Sequence, residues 1–168
     1  MSTWIREVTS AELSGGAYEH GLSRLNIARA DIERFVAPDD AALLLCFRAV
    51  RDGDGPERSM ASWMATLRRR DGSRDAVVES LQRVMPALAD EASLAELVRQ
   101  LAARARASGY GRLWLSPAIF QEPLLAPSLK RVADELGRPL EFVPSTRMSA
   151  IVLDESAQAA KRPWWKLW

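Results

Sequence analysis

Through the first two-thirds of the chain, apolar residues recur at spacings of three and four, the period of an amphipathic helix. Thr9 and Glu12 have the form of a capping box, and Gly15-Gly16 closes the turn they open. Leu22, Leu25, Ala28, Ile32 and Phe35 share one helical face that ends before Pro38. Leu43, Leu44, Phe47 and Val50 form the next, with Asp39 or Asp40 as cap and Asp52-Gly-Asp-Gly-Pro56 as breaker. Met60, Trp63, Met64 and Leu67 make a third stripe, which stops at Asp71-Gly72. Ser73 is a natural cap for a helix carrying Val77, Val78, Leu81, Val84, Met85 and Leu88. Asp90 or Ser93 begins another, with Leu94, Leu97, Val98, Leu101, Ala102 and Ala105 on one side.

After Gly109 the period changes. Arg112–Ser116 is short, apolar and bounded by Gly and Pro, and predicts a strand. Leu125, Leu129, Val132, Ala133 and Leu136 predict a helix stopped by Gly137, with Pro139 beyond. Leu140–Val143 and Ser149–Leu153 read as two further strands, with a parallel crossover over the helix. The predicted fold class is therefore α+β and mostly helical: an amphipathic helix bundle, then a small β-α-β-β unit. Residues 1–108 form the helical region, 109–154 an α/β unit packed on it as one domain, and 155–168 a linker and docking tail.

Composition agrees with a globular chain. Of 168 residues, 48% are hydrophobic and 27% charged, which is enough apolar material for a core. The net charge of +1 demands no anionic partner, and nucleic acid is not expected. Arg68-Arg-Arg70 with Arg74 is the densest basic cluster in the body; it reads as a solvated helix end partly neutralised by Asp71 and Asp75. A nucleic-acid face would need this cluster to share one surface with Arg99, Arg104 and Arg106. The N-terminus lacks the apolar core of a signal peptide, and no apolar run approaches the length of a membrane span. The expected location is cytoplasmic, peripheral at the inner membrane.

Candidate chemistry is sparse. The one histidine, His20, lies in a polar turn, and the one cysteine, Cys46, lies in an apolar run where a buried structural thiol is expected. One histidine and one cysteine cannot build the usual zinc sets. Asp52-Gly-Asp54-Gly begins like a calcium loop, but Pro56 and Trp63 stand where that loop needs ligands, so the segment is a turn. Gly15-Gly16 and Gly53-x-Gly55 lack the frame of a phosphate-binding loop. No metal, cofactor or catalytic residue is assigned. The alternative is an enzyme with a small-molecule site at the end of strand 112–116, near Ser116 and Glu122.

The stretch Leu44–Leu81 resembles a bacterial helical domain of unknown function found beside glycosyltransferases and methyltransferases and in secreted repeat proteins. Phe47-Arg48, Asp54-Gly-Pro56-Glu57, Trp63 and Ser73-Arg74 carry the resemblance. Arg58 replaces that family's glycine, and one residue must be inserted before the tryptophan. The resemblance implies a helical fold in envelope or exopolysaccharide machinery and brings no catalytic residues.

Two of the three lysines and three of the six tryptophans fall in the last eight residues. Indoles and cations suit a membrane–water interface, a groove on a protein partner, or packing back onto this chain's own core. Lys161, Arg162, Trp164, Trp165, Lys166 and Trp168 are thus the expected partner- or membrane-binding residues, and homo-oligomerisation would supply the second contact that stable docking needs. The expected function is that of a non-catalytic accessory or adaptor protein, acting by protein–protein interaction at an anionic membrane surface or membrane-associated complex.

Overall fold

The structure, a computed structural model, describes residues 2–8, 30, 42–116 and 120–154. Seven strands form one mixed sheet: β1 (Thr3–Val8), β2 (Ala42–Ala49), β3 (Ser59–Arg69), β4 (Ala76–Arg83), β5 (Arg112–Leu115), β6 (Leu140–Val143) and β7 (Met148–Val152). The two α-helices among the described residues are α1 (Glu91–Ala107) and α2 (Leu125–Glu135). Strand order across the sheet is β1-β2-β3-β4-β5-β7-β6. Successive pairs from β1 to β4 are antiparallel, β4 and β5 are parallel, and β7 runs antiparallel to both β5 and β6. Helix α1 is the crossover that joins the parallel pair.

The mostly helical fold class is thereby overturned, and with it the resemblance to a helical domain. The three apolar stripes between Leu43 and Leu88 are the strands β2, β3 and β4. Strands β2 and β3 are buried on both faces: Ala42–Cys46 and Ala61–Leu67 are buried without interruption. A continuous apolar run contains every spacing, three and four included, so its period carries no information.

In β4 a second cause operates. Thr66 pairs with Ser80 and Leu67 with Val78, so Glu79 is an extra residue, a bulge. It shifts the alternation, and Val78 and Leu81, three apart, both reach the same core. That spacing imitates a helix. Ser73, expected as a helix cap, closes the β3–β4 turn instead: its hydroxyl donates to the Arg70 carbonyl and accepts from Asp75 N–H.

Where Gly punctuated a helix the expectations hold. All six apolar positions predicted for the helix after Asp90 are buried in α1. Gly109 and Gly137, at φ +75° and +61°, follow α1 and α2 in the left-handed conformation. After each, the next N–H returns to the helix: Tyr110 to the Ala105 carbonyl and Arg138 to the Ala133 carbonyl. The predicted strands 140–143 and 149–153 correspond to β6 and β7.

One face of the sheet packs on both helices. Leu44, Cys46, Trp63, Ala65, Leu67, Val78, Leu113 and Leu115 meet Leu94, Leu97, Val98 and Leu101 of α1 and Leu125, Leu129 and Val132 of α2 in one core. No helix among the described residues is long and apolar enough to cross a membrane. His20, all but Ala30 of the helix predicted over 22–35, and the tail residues Lys161–Trp168 lie outside the described residues.

Candidate functional site

The irregularity that disguised β4 also creates the most distinctive geometry in the sheet. Strands β4 and β5 pair at only Ala76↔Leu113 and Val77↔Trp114. Beyond Val77, β4 continues to Arg83 without β5 alongside it. The Glu79 bulge lies two residues past the last pair, where its added twist turns β4 away. Parallel strands that part toward their carboxyl ends open a cleft there, the place where α/β sheets commonly take ligands. Residues 78–83 therefore present a strand edge on the β5 side.

The far end of this opening is tied by its own side chains. Arg83 donates from Nε and from an Nη to the two Glu122 carboxylate oxygens, each at 2.7 Å. Glu122 also accepts from Leu124 N–H at 3.0 Å. The Arg83 contact lowers the Glu122 pKa; burial opposes this, and the Leu124 N–H adds to it. Glu122 is only 9% exposed, so it is the Arg83 guanidinium and the Leu124 N–H, against the effect of burial, that keep the carboxylate ionised and oriented. Arg83 also lies over the Trp63 ring, 5.2 Å from its centroid, and Trp63 is its cross-strand neighbour.

Trp63 leads from there to the first turn of α1. Its indole N–H donates to the Ser93 hydroxyl at 3.0 Å. Asp90 is the N-cap: its carboxylate accepts from Ser93 N–H at 2.9 Å, and the Ser93 hydroxyl accepts from Asp90 N–H at 3.1 Å. Arg48, which is 14% exposed, forms an ion pair with Asp90. Burial alone would raise the Asp90 carboxyl, but the Arg48 guanidinium and the Ser93 donors outweigh it and hold the pKa at about 2.

Cys46 sits beneath this network. Its Sγ donates to the Ser93 carbonyl at 3.5 Å, and burial pushes the thiol up to about 11. It is the expected buried thiol, though on a strand, and at that pKa it is no nucleophile.

Of the pair named for the alternative enzyme reading, Glu122 stands at the parting strands. Ser116 is buried at the end of β5, with its hydroxyl donating to the Arg147 carbonyl at 3.2 Å. Residues 117–119, between them, lie outside the described residues. Sequence reasoning missed Arg48, Arg83, Asp90 as an ion-pair partner and Glu79. The one available signal was Trp63, a large indole on a strand that also carries serine and threonine. Of the basic residues weighed for nucleic acid, Arg68 pairs with Glu79, Arg99 with Glu96 and Glu135, and Arg104 with Glu7, while Arg69 donates to the Ser73 carbonyl and Arg70 lies over the Trp114 ring. Among the described residues no cluster of His, Cys, Asp or Glu could hold a metal ion.

No protein-family profile matches this sequence. No curated protein is significantly similar to it either. Solved structures do share its fold. An acetyltransferase of the GNAT family from Staphylococcus aureus covers 91% of this chain with all of its own, at a TM-score of 0.51 and 10% identity. An aminoglycoside acetyltransferase, AAC(6')-Ib, in complex with coenzyme A covers 96% of this chain with all of its own, at a TM-score of 0.50 and 14% identity. The fold is thus that of acetyltransferases. This fold overturns the helical-domain resemblance and, with it, the expectation of a non-catalytic adaptor of exopolysaccharide machinery.

Proposed function

We propose that the chain is a group-transfer enzyme of the acyltransferase class, with its substrates meeting where β4 and β5 part. The observation that carries this reading is the parting itself, two paired positions and then a free β4 edge, at the bulge at Glu79. A free edge offers alternating N–H and C=O groups to an extended, amide-bearing substrate. The acetyltransferase fold of the solved neighbours supports the choice of class.

The described residues favour direct transfer between two bound substrates over a covalent enzyme intermediate. Cys46 faces the helices and is held protonated, and Ser116 is buried and donates to a carbonyl. Catalysis would then rest on positioning, with Arg83 as a fixed positive charge near the reacting groups. Glu122 holds that guanidinium in place with two hydrogen bonds.

The fold implies coenzyme A as the acyl carrier, and the residues at the expected position do not fit its diphosphate. The first turn of α1 is closed by Asp90 and followed by Glu91, both carboxylates. No step is therefore assigned to that cofactor.

The test is thiol release from a set of acetyl thioesters, acetyl-pantetheine included, against a panel of amines and alcohols. Acceptor-dependent release is expected, falling at least about tenfold in Arg83→Ala while the far-UV spectrum is retained. Release from no thioester with any acceptor would defeat the reading.

A further inference from the structure

A helix N-terminus at the carboxyl end of a strand is a ready anion site when its N–H groups are free and the chain can approach closely. The first turn of α1 meets the positional condition. It follows β4 directly, beside the parting strands. The approach to it is not open, because two carboxylates stand at the turn and no glycine precedes it.

The connecting segment, residues 84–90, contains no glycine, and Pro86 has no N–H to offer. Most of its amides already have partners. Val84 N–H donates to the Ser62 carbonyl, Leu88 to Met85 and Ala89 to Pro86. Asp90 N–H donates to the Ser93 hydroxyl, and Ser93 N–H to the Asp90 carboxylate. The field is also wrong for an anion. Asp90 and Glu91 place two carboxylates at the helix start, and the nearby guanidiniums are committed, Arg48 to Asp90 and Arg83 to Glu122. The Asp90 carboxylate, with a guanidinium on one side and a backbone N–H on the other, has the surroundings of a bound phosphate oxygen.

We infer that α1 carries its own anion, Asp90 locked by Arg48, and that this chain does not read the diphosphate of coenzyme A there. Whatever thioester it uses is recognised through the acyl-bearing, amide-containing end of the carrier. This last point rests on the acyl-transfer reading; the occupation of the helix terminus by Asp90 does not.

The experiment titrates the full-length protein with coenzyme A and, separately, with pantetheine, which lacks every phosphate. Calorimetry gives affinities, and amide shifts of residues 84–94 report on the helix terminus. Asp90→Gly is compared because it removes the carboxylate, frees the Ser93 N–H and leaves Arg48 unpaired, yet glycine is a tolerated N-cap. Asp90→Asn keeps the cap without the charge and serves as the folded control.

For the native chain the expected affinities for the two ligands agree within about threefold, with no shift at 91–94 specific to coenzyme A. In Asp90→Gly coenzyme A gains at least about tenfold over pantetheine, with shifts at those amides. A native preference for coenzyme A of about a hundredfold, reported by those amides, would overturn the inference. So would an Asp90→Gly variant that folds and gains nothing. Because the readout is binding at named amides, a complete lack of thioester turnover would sink the acyl-transfer reading while leaving this result intact.

Discussion

The indole N–H of Trp63 donates to the hydroxyl of Ser93 over 3.0 Å, tying the middle of β3 to the first turn of α1. Both side chains are buried, at 1% and 0% exposure, so neither has water as an alternative partner. The same Ser93 hydroxyl accepts from Asp90 N–H, which makes the sheet contact and the helix cap one network. Such a network couples its members. In a double-mutant cycle, Trp63→Phe and Ser93→Ala should show a coupling of about 1 kcal/mol in urea unfolding. Simple additivity of the two changes would mean that the bond contributes nothing.

Cys46 should be nearly inert while the chain is folded. Burial raises its pKa to about 11, so the reactive thiolate is a small fraction at pH 8. Labelling by an aromatic disulfide reagent at that pH should run at less than about a hundredth of the rate in denaturant. Equal rates in both conditions would show an open path to the thiol that the packing against α1 denies.

Acid should weaken the fold through Asp90 and Glu122. Each has a folded pKa below its ordinary value, so each contributes stability that is complete above the unfolded pKa and lost as pH falls through the folded one. For Asp90 the window runs from its ordinary 3.8 down to about 2. Half of its side chain is exposed, so solvent screening limits the contribution to about 1 kcal/mol. Stability measured from pH 5 to pH 2 should decline, and Asp90→Asn should flatten part of that slope. An unchanged slope in the variant would exclude Asp90 as a source.

The bulge at Glu79 can be tested by comparing deletion with substitution. Glu79→Ala keeps the extra residue and loses a surface ion pair with Arg68, a change of about 0.5 kcal/mol. Deleting Glu79 makes Val78, Ser80 and Leu81 consecutive opposite Leu67, Thr66 and Ala65, so the ladder becomes regular, Leu81 keeps its core face and only the bulge with its twist is lost. The fold should survive at a cost of about 1 kcal/mol, while whatever activity depends on the parting strands should be lost. Activity in the deletion variant equal to that of Glu79→Ala would argue that the bulge does not part the strands.

The sequence by itself determined the elements whose signals are local. Helix α1 was legible because Asp90 caps it, Gly109 stops it and one face of it meets the sheet. The same holds for α2, and for β5 to β7, which are short and bounded by Gly, Pro or turn residues. The turn at Asp52–Pro56 was legible too, since Gly and Pro select it without help from distant residues. Only the tertiary structure could decide that β2, β3 and β4 are strands. The first two are covered on both faces, which erases alternation, and the third carries a bulge that exists only in its pairing with β3. The candidate site was decided at the same level. Arg83 with Glu122, Arg48 with Asp90, and Trp63 with Ser93 are separated by 30 or more residues in the chain, and no spacing along it marks them as pairs. They meet because a parallel crossover returns α1 across the sheet, a consequence of strand order that local patterns do not encode.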